Sequence, residues 1–192
     1  MGVPAGLLML ITVAMVFVGI AIAYYVLYSI SLYKMAKKYE IPAPGLAWVP
    51  YASYWILGSI ADKIKLRSGK KTNSALILTI GHGVFVVALI GLVFSMTLFA
   101  SMLYYETSVL IGMVISYVLF IGIIIALYVF AYIAYYRIYK DHSDSAVGWL
   151  LLSIFEPIAI PFILFSMIKK QSRSEQFVSY SAPQDDNSFY NQ

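Results

Sequence analysis

Cysteine is absent from this chain. That excludes disulfides, thiolate metal sites and cysteine nucleophiles. Histidine is nearly absent: His82 and His142 are the two imidazoles, which leaves little for a zinc centre. Charge is scarce as well, at 11% of 192 residues, and no charged side chain precedes Lys34. A secretory leader would carry a basic start and a shorter apolar core, so the N-terminal run reads as an uncleaved anchor. The sequence holds no HExxH, no glycine-rich phosphate loop and no paired intramembrane aspartates. Serine and tyrosine are plentiful, but no recognisable motif places a base beside one. An enzyme is the poorest expectation, and no cofactor is expected.

What the chain has in place of charge is apolar surface. Hydrophobic residues make up 61% of it, and its mean hydropathy is +0.83. Soluble domains are about half apolar and a quarter charged, so the excess marks a membrane protein. The formal charge of +4 is no nucleic-acid footprint, because the basic residues flank apolar segments and read as membrane-surface anchors. One membrane domain over 1–170 is expected, followed by a polar cytoplasmic tail, 171–192, too poor in aliphatics to fold alone.

Three segments are long enough to cross a hydrocarbon core, which takes about 20 apolar residues: 6–31, 74–101 and 108–134. Between the first two lie Lys34, Lys37, Lys38, Lys63, Lys65, Arg67, Lys70 and Lys71; after the third come Arg137, Lys140, Lys169, Lys170 and Arg173. Three crossings place all 13 on one face, which the positive-inside rule makes cytoplasmic. The N-terminus is then outside and the C-terminus inside.

Two further apolar stretches carry lysines on both sides. In 41–65, Pro42, Pro44 and Pro50 forbid a continuous helix. A crossing there would also export "KIKLRSGKK" (63–71). After Pro50, Ile56, Leu57, Ile60, Ala61 and Ile64 form one apolar stripe, and Trp48 and Trp55 are aromatics suited to headgroup depth. This segment is expected to lie on, or dip into, the cytoplasmic leaflet. The second stretch, 146–168, is broken by Pro157 and Pro161. Each arm is roughly 16 Å of helix, half a bilayer. A re-entrant hairpin with its turn near Glu156 and Pro157 fits the charge rule; the alternative is a kinked fourth span. The expected fold is therefore all-α integral membrane, with three transmembrane helices, an interfacial segment and a Pro-broken hairpin. The halves are alike, each running from "LYK" or "IYK" through a tryptophan (Trp48, Trp149) and prolines to lysine. Shared membrane-surface chemistry accounts for that likeness.

"YKMAKKYEIPAPGLAWVPYASYWILGSIAD" (33–62) resembles a motif of small polytopic membrane proteins of Gram-positive bacteria with no assigned function. "IYKDHSDSAVGWLLLSIFEPIAIPFILFSMIKK" (138–170) is similar to a second such motif. The resemblance implies a bacterial cytoplasmic membrane and brings no activity with it.

His82 stands 11 residues past Lys71, roughly 16 Å deep by helical rise. Glu156 reaches a similar depth at the apex of the hairpin. Ionisable groups at that depth face protein or a cavity, so the two are expected as a hydrogen-bonded pair; the plainer role for His82 is a neutral ring bonded to a neighbouring helix. Tyr128, Tyr132, Tyr135 and Tyr139 form one stripe down the third span, with Tyr24 and Tyr28 able to face it from the first. Gly19 with Ala23, Gly91 with Ser95, and Gly122 with Ala126 are small-residue pairs compatible with oligomerisation.

The function expected by elimination is an accessory or scaffold protein. Its lipid- or partner-binding surface would comprise Lys34, Lys37, Lys38, Trp48, Trp55, Lys63, Lys65, Arg67, Lys70, Lys71, Trp149, Lys169 and Lys170. Its partners would be the bilayer and a membrane protein or a second copy, with no nucleic acid. The alternative is a small oligomeric transporter or channel subunit with the hairpins near its pore.

Overall fold

The computed structural model describes residues 5–102, 107–170 and 172. Apart from Ser172, the tail expected over 171–192 lies outside these residues. The described chain is all-helical: α1 (Ala5–Lys38), α2 (Ala52–Arg67), α3 (Ser74–Met102), α4 (Thr107–His142), α5 (Ala146–Phe155) and α6 (Ile160–Ile168). Short 3₁₀ turns occupy Pro44–Trp48 and Pro157–Ala159. Three helices are long and apolar enough to cross a membrane: Gly6–Lys38, Ser74–Thr97 and Ile111–His142. α1 and α4 run past the expected span ends at 31 and 134, because Tyr and Lys continue the helix beyond the apolar stretch. At 34 and 36 residues they are about 50 Å long, well over a hydrocarbon core of roughly 30 Å.

α1 ends in a sharp reversal. Glu40 N–H donates to the Lys37 carbonyl and Ile41 N–H to that of Ala36, with Glu40 left-handed at φ 53°. This is the Schellman arrangement, closed by Ile41 packing into the core. α2 ends the same way at Gly69 (φ 76°), where glycine takes the left-handed position without steric cost. Ala43, also left-handed at φ 55°, completes the first reversal. The chain then climbs back along α1 until the Trp48 carbonyl meets the Tyr25 hydroxyl. Tyr25 is 13 residues before Lys38, so this contact lies roughly 20 Å above the end of α1. The segment 41–65 thus folds back along α1. Trp48 and Trp55 go with it. Trp55, 12 residues before Arg67, stands roughly 18 Å from the α2 terminus.

The segment 146–168 doubles back in the same manner. Lys38 Nζ reaches both His142 Nε2 (3.3 Å), just before α5, and the Lys170 carbonyl, just after α6. At the other extreme, Tyr24 donates to the Pro157 carbonyl at 3.2 Å. Both ends therefore sit at the foot of α1, with the proline turn level with Tyr24, roughly 21 Å above Lys38 by helical rise. α6 packs on α1, α5 on α4, and α2 on α3 and α4.

Burial is concentrated at this basic end. Leu32, Met35, Ala36, Tyr39, Ile56, Leu57, Ile60, Ile138, Leu164 and Met167 are buried there. The apolar stripe of α2 faces these neighbours and not lipid. α1 residues 6–23 are exposed throughout, as a lipid-facing helix should be. Gly19, Gly91 and Gly122 have open space where a Cβ would stand, so they mediate no contact within the chain. Close approach falls elsewhere: a Cβ on Gly58 of α2 would lie 2.4 Å from the Ala75 Cα of α3. Beside it Asp62 caps α3, accepting from the N–H groups of Ser74 (2.8 Å) and Ala75 (3.0 Å) and from Thr72 Oγ1 (2.6 Å). A carboxylate at a helix N-terminus satisfies orphan donors and opposes the helix dipole.

Candidate functional site

α1 and α4 do not pack closely in their middle third. A cleft of about 550 Å³ separates them, with α2 and α3 forming one side and the turn at Pro157 the other. Its walls are aromatic because both helices place tyrosine at four-residue intervals, which returns each side chain to one face. From α1 come Tyr24 and Tyr28, their rings parallel within 3° at 6.4 Å. From α4 come Tyr128 and Tyr132, stacked at 6.2 Å, and then Tyr135. Tyr54 of α2 lies on His82 of α3, ring to ring, at 3.3 Å. Lys, Arg, Asp and Glu are missing from the lining.

Most of the phenol hydroxyls are committed to holding the fold. Tyr24 and Tyr25, adjacent on α1, each bond the apex carbonyl of one returning segment. Tyr28 and Tyr135 close the floor, hydroxyl to hydroxyl, at 2.9 Å. Tyr132 donates to the Ser153 carbonyl (3.1 Å), and Tyr139 bonds the Ser153 hydroxyl (2.9 Å). The stripe expected on α4 is continuous, and its burial deepens from Tyr128, 60% exposed, to Tyr139, which is fully buried. By contrast, Tyr51, Tyr54 and Tyr128 make no hydroxyl hydrogen bond among the described residues.

His82 lines the cleft, and its Nδ1 is 2.8 Å from the Leu78 carbonyl one turn back. A carbonyl there requires Nδ1 to carry the proton, and in the neutral ring Nε2 is then an acceptor. The expected bond between His82 and Glu156 does not form. Glu156 terminates α5 with an exposed side chain at the turn, outside the cleft lining, while His82 is occupied by its own helix and by Tyr54. Gly81 beside it admits the Leu127 side chain of α4, which fixes how closely α3 and α4 approach.

The basic end is a second site. Lys34 lies over the Phe165 ring at 4.9 Å and Lys37 over the Tyr33 ring at 4.7 Å. Arg67 lies 5.3 Å over Tyr39. Lys70, Lys71, Lys169 and Lys170 are exposed, Lys63 and Lys65 half-buried. Trp149 is half-buried and donates to Ser143 Oγ at 3.2 Å. Beneath this surface is a cluster that sequence reading missed. The buried Tyr39 hydroxyl donates to Asp141 Oδ2 at 2.6 Å, and His142 receives Lys38 on Nε2 while Nδ1 bonds the Ile138 carbonyl (2.9 Å). The available signal was the paired ionisable residues closing α1 (Lys38, Tyr39) and α4 (Asp141, His142). Among the described residues no His, Asp and Glu side chains gather in threes as a metal site requires.

No family model, curated protein or solved structure matches the chain.

Proposed function

We propose that this protein is a non-enzymatic accessory or scaffold protein of a bacterial cytoplasmic membrane, with its N-terminus outside and its basic end inside. That end binds anionic lipid headgroups and, through them or directly, a membrane partner. The observation that carries this reading is the way acidic side chains are used there. Among the described residues of that end Glu40 and Asp144 are exposed, but the half-buried Asp62 is spent on capping α3 and the buried Asp141 on Tyr39. Lys70, Lys71, Lys169 and Lys170 stay exposed around them. Each lysine near an anionic surface contributes about 1 kcal/mol, so a handful suffices for stable recruitment. Lys34 and Lys37, resting on aromatic rings, hold their charge at the same level. On this reading both returning segments enter the bilayer to about half its depth and leave on the same side.

Mass spectrometry of the intact protein released from native nanodiscs tests it. The expected result is retention of anionic lipid over zwitterionic lipid, or a stoichiometric second polypeptide. Either should be lost when Lys70, Lys71, Lys169 and Lys170 are all changed to Glu. A closed homo-oligomer carrying neither overturns the proposal. It favours instead a channel or transporter built from several copies, for which the two proline-broken segments meeting α1 at Tyr24 and Tyr25 supply the supporting observation.

A further inference from the structure

The cleft between α1 and α4 has a chemistry of its own, independent of the basic end. Its volume, about 550 Å³, falls within the roughly 300–1,000 Å³ usual for small-molecule sites. Its contact with the returning segments places it roughly 20 Å up α1 from Lys38. Tyr51 and Tyr128, 56% and 60% exposed, stand at its mouth. A ligand at that depth enters from the hydrocarbon, not from water.

Four features of the lining choose among lipid-soluble molecules. First, it holds no charged side chain, and Glu156 stands outside it. Tyrosine faces attract cations, but a fixed charge held at this depth with no counter-ion is costly, so the occupant is neutral. Second, the stacked pairs Tyr24–Tyr28 and Tyr128–Tyr132 present aromatic surface from two helices, which favours a flat ring over a flexible chain. Third, the hydroxyls of Tyr54 and Tyr128 are donors without a partner among the described residues, and ring carbonyls would satisfy them. Fourth, His82 Nε2 is an acceptor, which a ring hydroxyl would satisfy.

We propose that this cleft binds one uncharged, ring-bearing, lipid-soluble molecule with hydrogen-bonding ring oxygens, the chemical class of the membrane quinones and quinols. The oxidised form uses the two phenol donors, and the reduced form adds the imidazole acceptor. Binding is what the geometry supports; no electron transfer is implied.

The test uses the full chain in lipid nanodiscs, with menadione as probe and protein-free nanodiscs to subtract partitioning. Saturable binding of one menadione per chain is expected. Ala131→Phe, which fills the cleft from α4, should weaken it at least tenfold, and Tyr54→Phe, which removes one donor, several-fold with an unchanged melting temperature. The Lys→Glu set at the basic end should leave it unaltered. Menadione that merely partitions equally into empty nanodiscs overturns the proposal. So does binding that survives in a folded Ala131→Phe protein, or saturable uptake of tetraphenylphosphonium in place of menadione. Should Ala131→Phe not fold, photolabelling of the wild-type chain with an azidoquinone decides: adducts on the cleft residues of α1, α2, α3 and α4 support the site, and adducts elsewhere refute it.

Discussion

The hydroxyls of Tyr28 on α1 and Tyr135 on α4 meet at 2.9 Å, across 107 residues of sequence. This bond joins the two sides of the cleft where their backbones stay apart. Removing one partner leaves a buried hydroxyl unsatisfied, at a cost of about 1 kcal/mol. Tyr28→Phe and Tyr135→Phe should each lower the melting temperature in detergent, while the double variant should lose little more than either single one. Additive losses would show that the two phenols act separately.

The crossing of α2 and α3 has no room for a side chain at Gly58. A Cβ there meets backbone of Ala75 at 2.4 Å, and backbone cannot swing aside as a side chain can. Gly58→Ala should therefore destabilise by about 1–3 kcal/mol, the range for overpacking. Gly19→Ala, with nothing within 4 Å, is the matched control and should be neutral or slightly stabilising. Thermal unfolding followed by circular dichroism separates the two.

Asp62 holds the start of α3 through two backbone N–H groups. Asp62→Ala should cost about 1–2 kcal/mol. Asp62→Asn keeps an acceptor oxygen but loses the charge facing the helix dipole, so its loss should be smaller, about 0.5 kcal/mol. Amide hydrogen exchange at residues 74–77 reports the cap directly and should quicken in the order wild type, Asn, Ala.

Glu40 occupies the left-handed position that Gly69 fills at the end of α2. Its side chain is exposed, so truncating it removes little packing. Glu40→Gly should stabilise by about 1 kcal/mol, and Gly69→Ala should destabilise by a similar amount, because a Cβ clashes at positive φ. A fall in melting temperature for Glu40→Gly would contradict this account of the reversal.

The absence of native cysteine makes single-cysteine topology mapping clean. Ser145→Cys and Lys170→Cys, both exposed and at the two ends of the α5–α6 segment, should react with an impermeant maleimide from the same side of a vesicle. Ile158→Cys, 62% exposed at the turn, should be shielded by lipid from both sides. Labelling of positions 145 and 170 from opposite sides would turn the segment into a fourth span.

Composition and periodicity alone determined the membrane class, the three long helices and the gathering of basic residues at one end. Those properties come from local runs: some 20 apolar residues satisfy their own backbone in lipid only as a helix, and lysine stays where water is. Proline likewise marked 41–65 and 146–168 as broken, since a missing N–H is a local defect. The tyrosine stripe of α4 was legible for the same reason, as a spacing on one helix. What covers that stripe was not. Pairing His82 with Glu156 rested on depth alone, and depth leaves rotation about the helix axis undefined; packing turned His82 toward Tyr54 and left Glu156 at an exposed turn. Only the tertiary structure decided that Tyr24 and Tyr25 each hold one returning segment, that Asp62 caps a helix other than its own, and that α1 and α4 part to leave a cleft. These are relationships between distant segments. They depend on the two left-handed residues at 40 and 43 and on the contact at Gly58, where one missing methyl sets how closely two helices approach.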